Sequence, residues 1–447
     1  MFCSILVTLF MALNSFSASS DIKEGIQGYT PSAETFAAKE QFRDDKFGVF
    51  IHWGIYSMMA RGEWVMYNEK LPYDEYSRFA GGFFPSRFDA GQWVRQIKAS
   101  GAKYITITSR HHDGFSMFDT KASDYDIIDA TPFKRDVLKE LADACHKEGI
   151  TLNFYYSLLD WGRDDYPRDP AIAHTAKERE LYAKYLDFMC AQITELLTNY
   201  GPVGCIWFDG DWAKIQKPKD GSPLVVDFDW GYERIYKLIH SLQPSCLVAN
   251  NHHRVPIPGE DIQVFERDIP GENSAGYSRT SHVSDELALE TCKTINKGWG
   301  YEIADTNWKS VPELVRILVN IAGRNANLLL NVGPRPDGTI PEESVERLAG
   351  IGDWLSKNGE SIYGTRATML KPQSWGVLTH KEGKIFLHVL EAPAEGTITL
   401  PFKIKAKKVS EFASGTPLKF KKGKDSFTVN LPSDPDCSTD YIIEIVL

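Results

Sequence analysis

Between Phe47 and Pro341 short, continuously apolar runs alternate with helical segments, and the runs stop abruptly in polar or charged residues. A strand that is apolar at every position is buried on both faces, as in a parallel sheet covered by helices. The clearest such run lies in GCIWFDGDW (204–212), where Val203, Cys205, Ile206, Trp207 and Phe208 stand between Gly-Pro and Gly-Asp and the run ends at Asp209. FGVFIHWGIYS ends its run in His52 and Trp53, and the strand expected over Tyr104 to Thr108 leads to Arg110, His111, His112 and Asp113. TLNFYYSLLDW carries Tyr155, Tyr156 and Trp161, CLVANNHHR ends in Arg254, and DIQVFE ends in Glu266. Amphipathic stretches such as DVLKELADACHKEGI, the segment from about Glu178 to Asn199, ERIYKLIHSLQP and VPELVRILVNIAGRN separate them. This alternation predicts an α/β fold, most simply a (β/α)8-like barrel over residues 20–365. From Met369 onwards only short runs remain, among them KIFLHVL, GTITLPF, DSFTVNL and DYIIEIVL, cut by Gly, Pro and Ser turns. They predict a C-terminal β-sandwich over residues 366–447.

Composition limits the partners. A chain of 447 residues with a formal charge of -10 offers no electrostatic reason to bind nucleic acid or an anionic membrane surface. An apolar stretch from Ile5 to Leu13, followed by Ser15, Ser17, Ala18, Ser19 and Ser20, reads as a signal peptide over residues 1–19, and hence as a periplasmic or secreted protein. It is too short for a membrane span, which takes about 20 residues. The cysteines beyond it, Cys145, Cys190, Cys205, Cys246, Cys292 and Cys437, are scattered without a CxxC pair and read as buried free thiols.

In a barrel the strand ends share one rim, so His52, His111, His112, Tyr155, Tyr156, Asp209, Arg254 and Glu266 are expected together. Two carboxylates among histidines and aromatic rings suit glycoside cleavage, in which one carboxylate attacks the anomeric carbon and an acid protonates the leaving oxygen. The pairs His111-His112 and His252-His253 do not make a convincing metal site, because adjacent residues on a strand point to opposite faces. No metal or other cofactor is expected.

The segments FGVFIHWGIYS, GEW, KYITITSRHHDGF, NFYYS, IWFDG, WGY and NLLLNVGPRPDGTIP, in this order, resemble the family 29 glycoside hydrolases, the exo-acting α-L-fucosidases, over Phe47 to Thr365. The resemblance implies a (β/α)8-like barrel with a carboxy-terminal β-sandwich, a retaining mechanism without metal, and a fucosylated oligosaccharide or glycoconjugate as substrate. It implies Asp209 as nucleophile. Around the sugar it implies His52, Glu63, Trp64, His111, His112, Tyr156, Trp207, Arg254 and Trp299. For the general acid/base it favours Glu266, which ends a strand and follows Arg254 by a short loop, with Glu290 of LETC as second candidate; Glu260 and Glu272 read as loop carboxylates. An apparent insertion, GENSAGYSRTSH, follows Glu266. Retention asks for carboxyl groups about 5 to 5.5 Å apart, against about 6.5 to 9.5 Å for inversion. Two other readings are a non-catalytic carbohydrate-binding protein and an exo-glycosidase for another 6-deoxy or galacto-configured sugar; an apolar wall at the C5 substituent would favour fucose. Linkage preference and oligomeric state are left open.

Overall fold

The computed structural model describes residues 28–168, 175–214 and 228–447; the expected signal segment lies outside them. Eight parallel strands close a barrel in chain order: β1 (Phe47–Ile51), β2 (Tyr104–Arg110), β3 (Thr151–Ser157), β4 (Cys205–Asp209), β5 (Leu247–Asn250), β6 (Ile262–Glu266), β7 (Ala288–Thr294) and β8 (Ala326–Val332). β8 pairs back onto β1 with Phe47 opposite Leu328. The outer helices are α2 (Ala90–Ala99), α3 (Val137–Glu148), α4 (Ala176–Asn199), α5 (Tyr232–Leu242), α6 (Val311–Ala322) and α7 (Glu342–Asn358), following α1 (Ala33–Asp45). Their starts are written locally: Asp89 and Asp136 accept from the backbone N–H of Gln92 and Lys139, and Ser310 forms a reciprocal capping box with Glu313.

No helix separates β5 from β6 or β6 from β7. There α1, for which the sequence carries no clear periodic signal, packs against β5, β7 and β8. Its Phe42 enters the core inside the barrel, with ring centroid 5.2 Å from that of Tyr104, and the Phe42 carbonyl accepts from Asn327 Nδ2 at 2.6 Å. The helix thus plugs the end of the barrel remote from the carboxyl rim.

The C-terminal strands form a five-stranded and a three-stranded antiparallel sheet. Leu387, Ile398, Leu400, Phe427, Val429, Ile443 and Ile445 are buried in one core between them. The sandwich is clasped to the barrel through Arg316 of α6, which donates to the Thr439 carbonyl at 3.2 Å and to that of Cys437 at 3.1 Å. Among the described residues five of the six cysteines are buried and Cys437 is half-buried, and all six are free thiols, in line with the expectation. Among the described residues no helix is long and apolar enough to cross a membrane.

Candidate active site

The barrel strands alternate between an inner and an outer core, and this alternation aims the site. On β4, Cys205 and Trp207 point inward while Ile206 and Phe208 face the helices, so Asp209, next in the inner series, emerges at the carboxyl rim. Gly210 then turns the chain with φ of 96°, where an added Cβ would lie 2.7 Å from Leu159 Cβ. The Asp-Gly pair is therefore a steric requirement of the site. On β6, Ile262 and Val264 belong to the same inner core and bring Glu266 to the rim.

Between these two strands β5 delivers Asn251. Its Nδ2 donates to Asp209 Oδ1 at 3.2 Å and to Glu266 Oε2 at 2.9 Å, so these two oxygens lie within about 6.1 Å of each other. The amide orientation follows from its partners, since the opposite flip would turn a carbonyl oxygen on two carboxylates. Tyr155 OH donates to Asp209 Oδ2 at 2.9 Å. Burial raises the Asp209 pKa, and the bonds from Tyr155 and Asn251 oppose that rise. Burial, and then the charge of Asp209, push Glu266 up to about 7. Asp209 has the larger set of donors to its charged form, so the first proton taken up by the pair belongs on Glu266.

A cleft of about 590 Å³ opens over the pair, within the ~300–1,000 Å³ usual for a small-molecule site. His52, Glu63, Trp64, His111, His112, Trp207 and Trp299, all named from the sequence, line it. Asn331 of β8 orders one side: its Oδ1 is 2.6 Å from His52 Nδ1 and its Nδ2 donates to the Trp299 carbonyl at 2.7 Å. His52 must then carry its proton on Nδ1, leaving the Nε2 lone pair to accept. His112 is set the same way: Ser157 Oγ gives its own proton to the Leu159 carbonyl, so it accepts from His112 Nδ1 at 2.7 Å. His112 Nε2 stands 3.6 Å from Asp209 Oδ2. Burial pulls both imidazoles down to about 3, so both are neutral at pH 7. Glu63 is raised by burial and accepts the Gly300 N–H at 2.8 Å. An added Cβ on Gly300 would come 2.7 Å from Glu63 N, which is why the WGY motif carries glycine there.

Three expectations fail on geometry. Tyr156 does not reach the cleft: it faces outward, its OH donating to Gln192 Oε1 of α4 at 2.7 Å, and Tyr155 occupies the inner position. Arg254 does not line the cleft either, because its guanidinium is drawn to the fully buried Asp211, 2.5 Å away. Glu290, the second acid/base candidate, lies inside the barrel, accepting from Tyr104 OH at 2.7 Å and Trp207 Nε1 at 2.9 Å. It supports the ring of Trp207. Asn251, Arg267, Trp212 and the loop residues Tyr277 and Arg279 line the cleft without having been singled out, and so does His253, which the sequence offered only within a rejected metal pair. For Asn251 a signal existed, since it stands in the polar run that ends CLVANN.

A family model described as α-L-fucosidase matches residues 16–360. The chain is 30% identical over 414 residues to the plasma α-L-fucosidase of Homo sapiens, which covers 83% of this chain and 81% of that protein. It is similar in structure to α-L-fucosidase isoenzyme 1 from Paenibacillus thiaminolyticus, with 33% identity, a TM-score of 0.77 and 93% and 100% of the two chains covered. It is similar also to the Thermotoga maritima α-fucosidase in complex with fucose, with 27% identity, a TM-score of 0.71 and 94% and 100% covered.

Proposed function

The chain belongs to the α-L-fucosidase family, glycoside hydrolase family 29, and from that premise we propose that it removes terminal α-L-fucosyl residues from glycans with retention, Asp209 acting as nucleophile and Glu266 as acid/base. The observation that carries this reading is the single amide, Asn251 Nδ2, bonded to both carboxylates. A spacing of at most about 6.1 Å between the bonded oxygens falls below the range of about 6.5 to 9.5 Å that an inverting enzyme needs to admit a water.

In the first step an ionised Asp209 oxygen bonds to the anomeric carbon while the bond to the glycosidic oxygen breaks, and that oxygen takes the proton of Glu266. In the second, water attacks the β-fucosyl ester, Glu266 accepts its proton, and Asp209 departs. His52 and His112, held neutral, offer lone pairs to the ring hydroxyls without adding positive charge beside the nucleophile. Tyr155 OH steadies the Asp209 carboxylate before it attacks and again as it departs. Phe50, Trp207, Trp299 and Cys292 give part of the cleft an apolar wall. Such a wall suits a C5 methyl group better than a hydroxymethyl.

The test is a comparison of aryl α-L-fucoside with aryl α-L-galactoside, which adds one hydroxyl at that carbon. The fucoside should be favoured in kcat/KM by about 100-fold, and proton NMR should find α-fucose as the first sugar released. Binding of fucose without turnover of either glycoside would favour the lectin-like reading, and β-fucose appearing first would rule out retention. The proposed substrate is a fucosylated oligosaccharide or glycoconjugate. We place the enzyme outside the cytoplasm, on the apolar leader at residues 1–19. Intact mass should find the chain cut near residue 19 in the medium or periplasm; an uncut chain retained in the cytoplasm would refute export.

A further inference from the structure

Retaining cleavage fixes where the departing part of the substrate must lie. Nucleophile and acid act on opposite sides of the scissile bond, so the first ring of the aglycone sits beside Glu266 and away from Asp209. His253 stands there, its Nε2 3.5 Å from Glu266 Oε2, and the cleft wall next to it is made by Tyr277, Ser278 and Arg279 of the loop joining β6 to β7. This loop contains the insertion GENSAGYSRTSH, which the reaction described above leaves unused.

A tyrosine on a loop is unremarkable when it is merely exposed. Here the loop is built to present it. Buried Asp268 accepts the Ala275 N–H through both oxygens, at 2.9 and 3.2 Å. Asn273 clasps Ser278 in both directions, donating to its carbonyl and accepting its N–H, each at 3.0 Å. Ser278 Oγ donates to the Thr280 carbonyl at 2.6 Å, and the Arg279 N–H to the His253 carbonyl at 2.8 Å. Between the clasps Gly276 turns with φ of 79°. Tyr277 is thus held by its neighbours on both sides, its ring 5.9 Å from the His253 imidazole at 31°, with 45% of the residue still open to solvent. A ring fixed in place loses little entropy when a ligand covers it.

We propose that Tyr277 is the platform for the first aglycone sugar, taking the apolar C–H face of a pyranose such as a hexose or N-acetylhexosamine, and that the β6–β7 loop therefore selects among aglycones. The proposal rests on the fucosidase reading above, with Glu266 as the acid. His253 is the back wall of this subsite, and burial pulls its imidazole down to about 4, so it stays neutral beside Glu266.

The experiment compares wild type, Tyr277→Ala and Tyr277→Phe on α-L-fucosyl fluoride, which has no aglycone ring, and on the fucosylated disaccharide the wild type cleaves fastest. The ratio of kcat/KM for disaccharide over fluoride should fall about five- to tenfold in Tyr277→Ala, chiefly through KM, and stay near the wild-type value in Tyr277→Phe, which keeps the ring. An unchanged ratio in Tyr277→Ala, or an equal loss on both substrates, overturns the platform alone. Wild-type protein that releases no fluoride overturns the fucosidase reading and the platform with it.

Discussion

Asp209→Ala is expected to lower turnover of an aryl α-L-fucoside by roughly 10⁴-fold or more, because in the proposed mechanism its carboxylate forms the glycosyl ester. The vacated space lies under Tyr155 OH and Asn251 Nδ2, two donors that held the carboxylate and would welcome a small anion. Azide should therefore restore activity, and the product should be the β-fucosyl azide, since azide attacks the face from which Asp209 is missing. The variant's Tm separates loss of chemistry from loss of fold. A folded variant with near wild-type turnover, or rescue that yields the α-azide, would remove Asp209 from the nucleophile role.

Glu266→Ala is expected to divide substrates by their leaving groups. A natural fucosyl linkage needs a proton on the departing oxygen and should lose about 10²–10⁴-fold. An activated aryl fucoside, whose leaving group departs without help, should lose far less in its first step. The pH profile gives a second readout. Glu266 must be protonated to act and is pushed up to about 7, so wild-type kcat/KM should fall as pH rises through that region. On the acid side activity falls where Asp209 takes up a proton. The two limbs belong to the coupled pair, and the alkaline limb should vanish from the Glu266→Ala profile on the activated substrate. Glu290→Ala is the control. It strands Tyr104 OH and Trp207 Nε1 inside the barrel, at about 1–3 kcal/mol per unpaired group. It should lower Tm and leave the leaving-group dependence as in wild type; selectivity in Glu290→Ala, absent from Glu266→Ala, would exchange the two assignments.

Much of the fold is legible in the chain because parallel strands buried on both faces are continuous apolar runs, and helices between them keep their own period. The loop after β6 and helix α1 are less legible. Neither repeats a hydrophobic period, and each is specified by what it packs against: α1 by the open end of the barrel, the loop by Asp268 and His253.

The same division runs through the site. By itself the sequence determined a parallel barrel, its sandwich, and the two strand ends that bear Asp209 and Glu266, since an acid closing an apolar strand is a local signal. It did not determine the phase of NFYYS: Tyr155 and Tyr156 are both fully buried, so apolarity sets the strand without saying which ring faces the cleft. Nor could it pair Arg254 with Asp211, or give Asn251 two carboxylates 42 and 15 residues away. Those contacts join groups brought together only when the barrel closes, and the tertiary structure decided them because a hydrogen bond depends on distance in space.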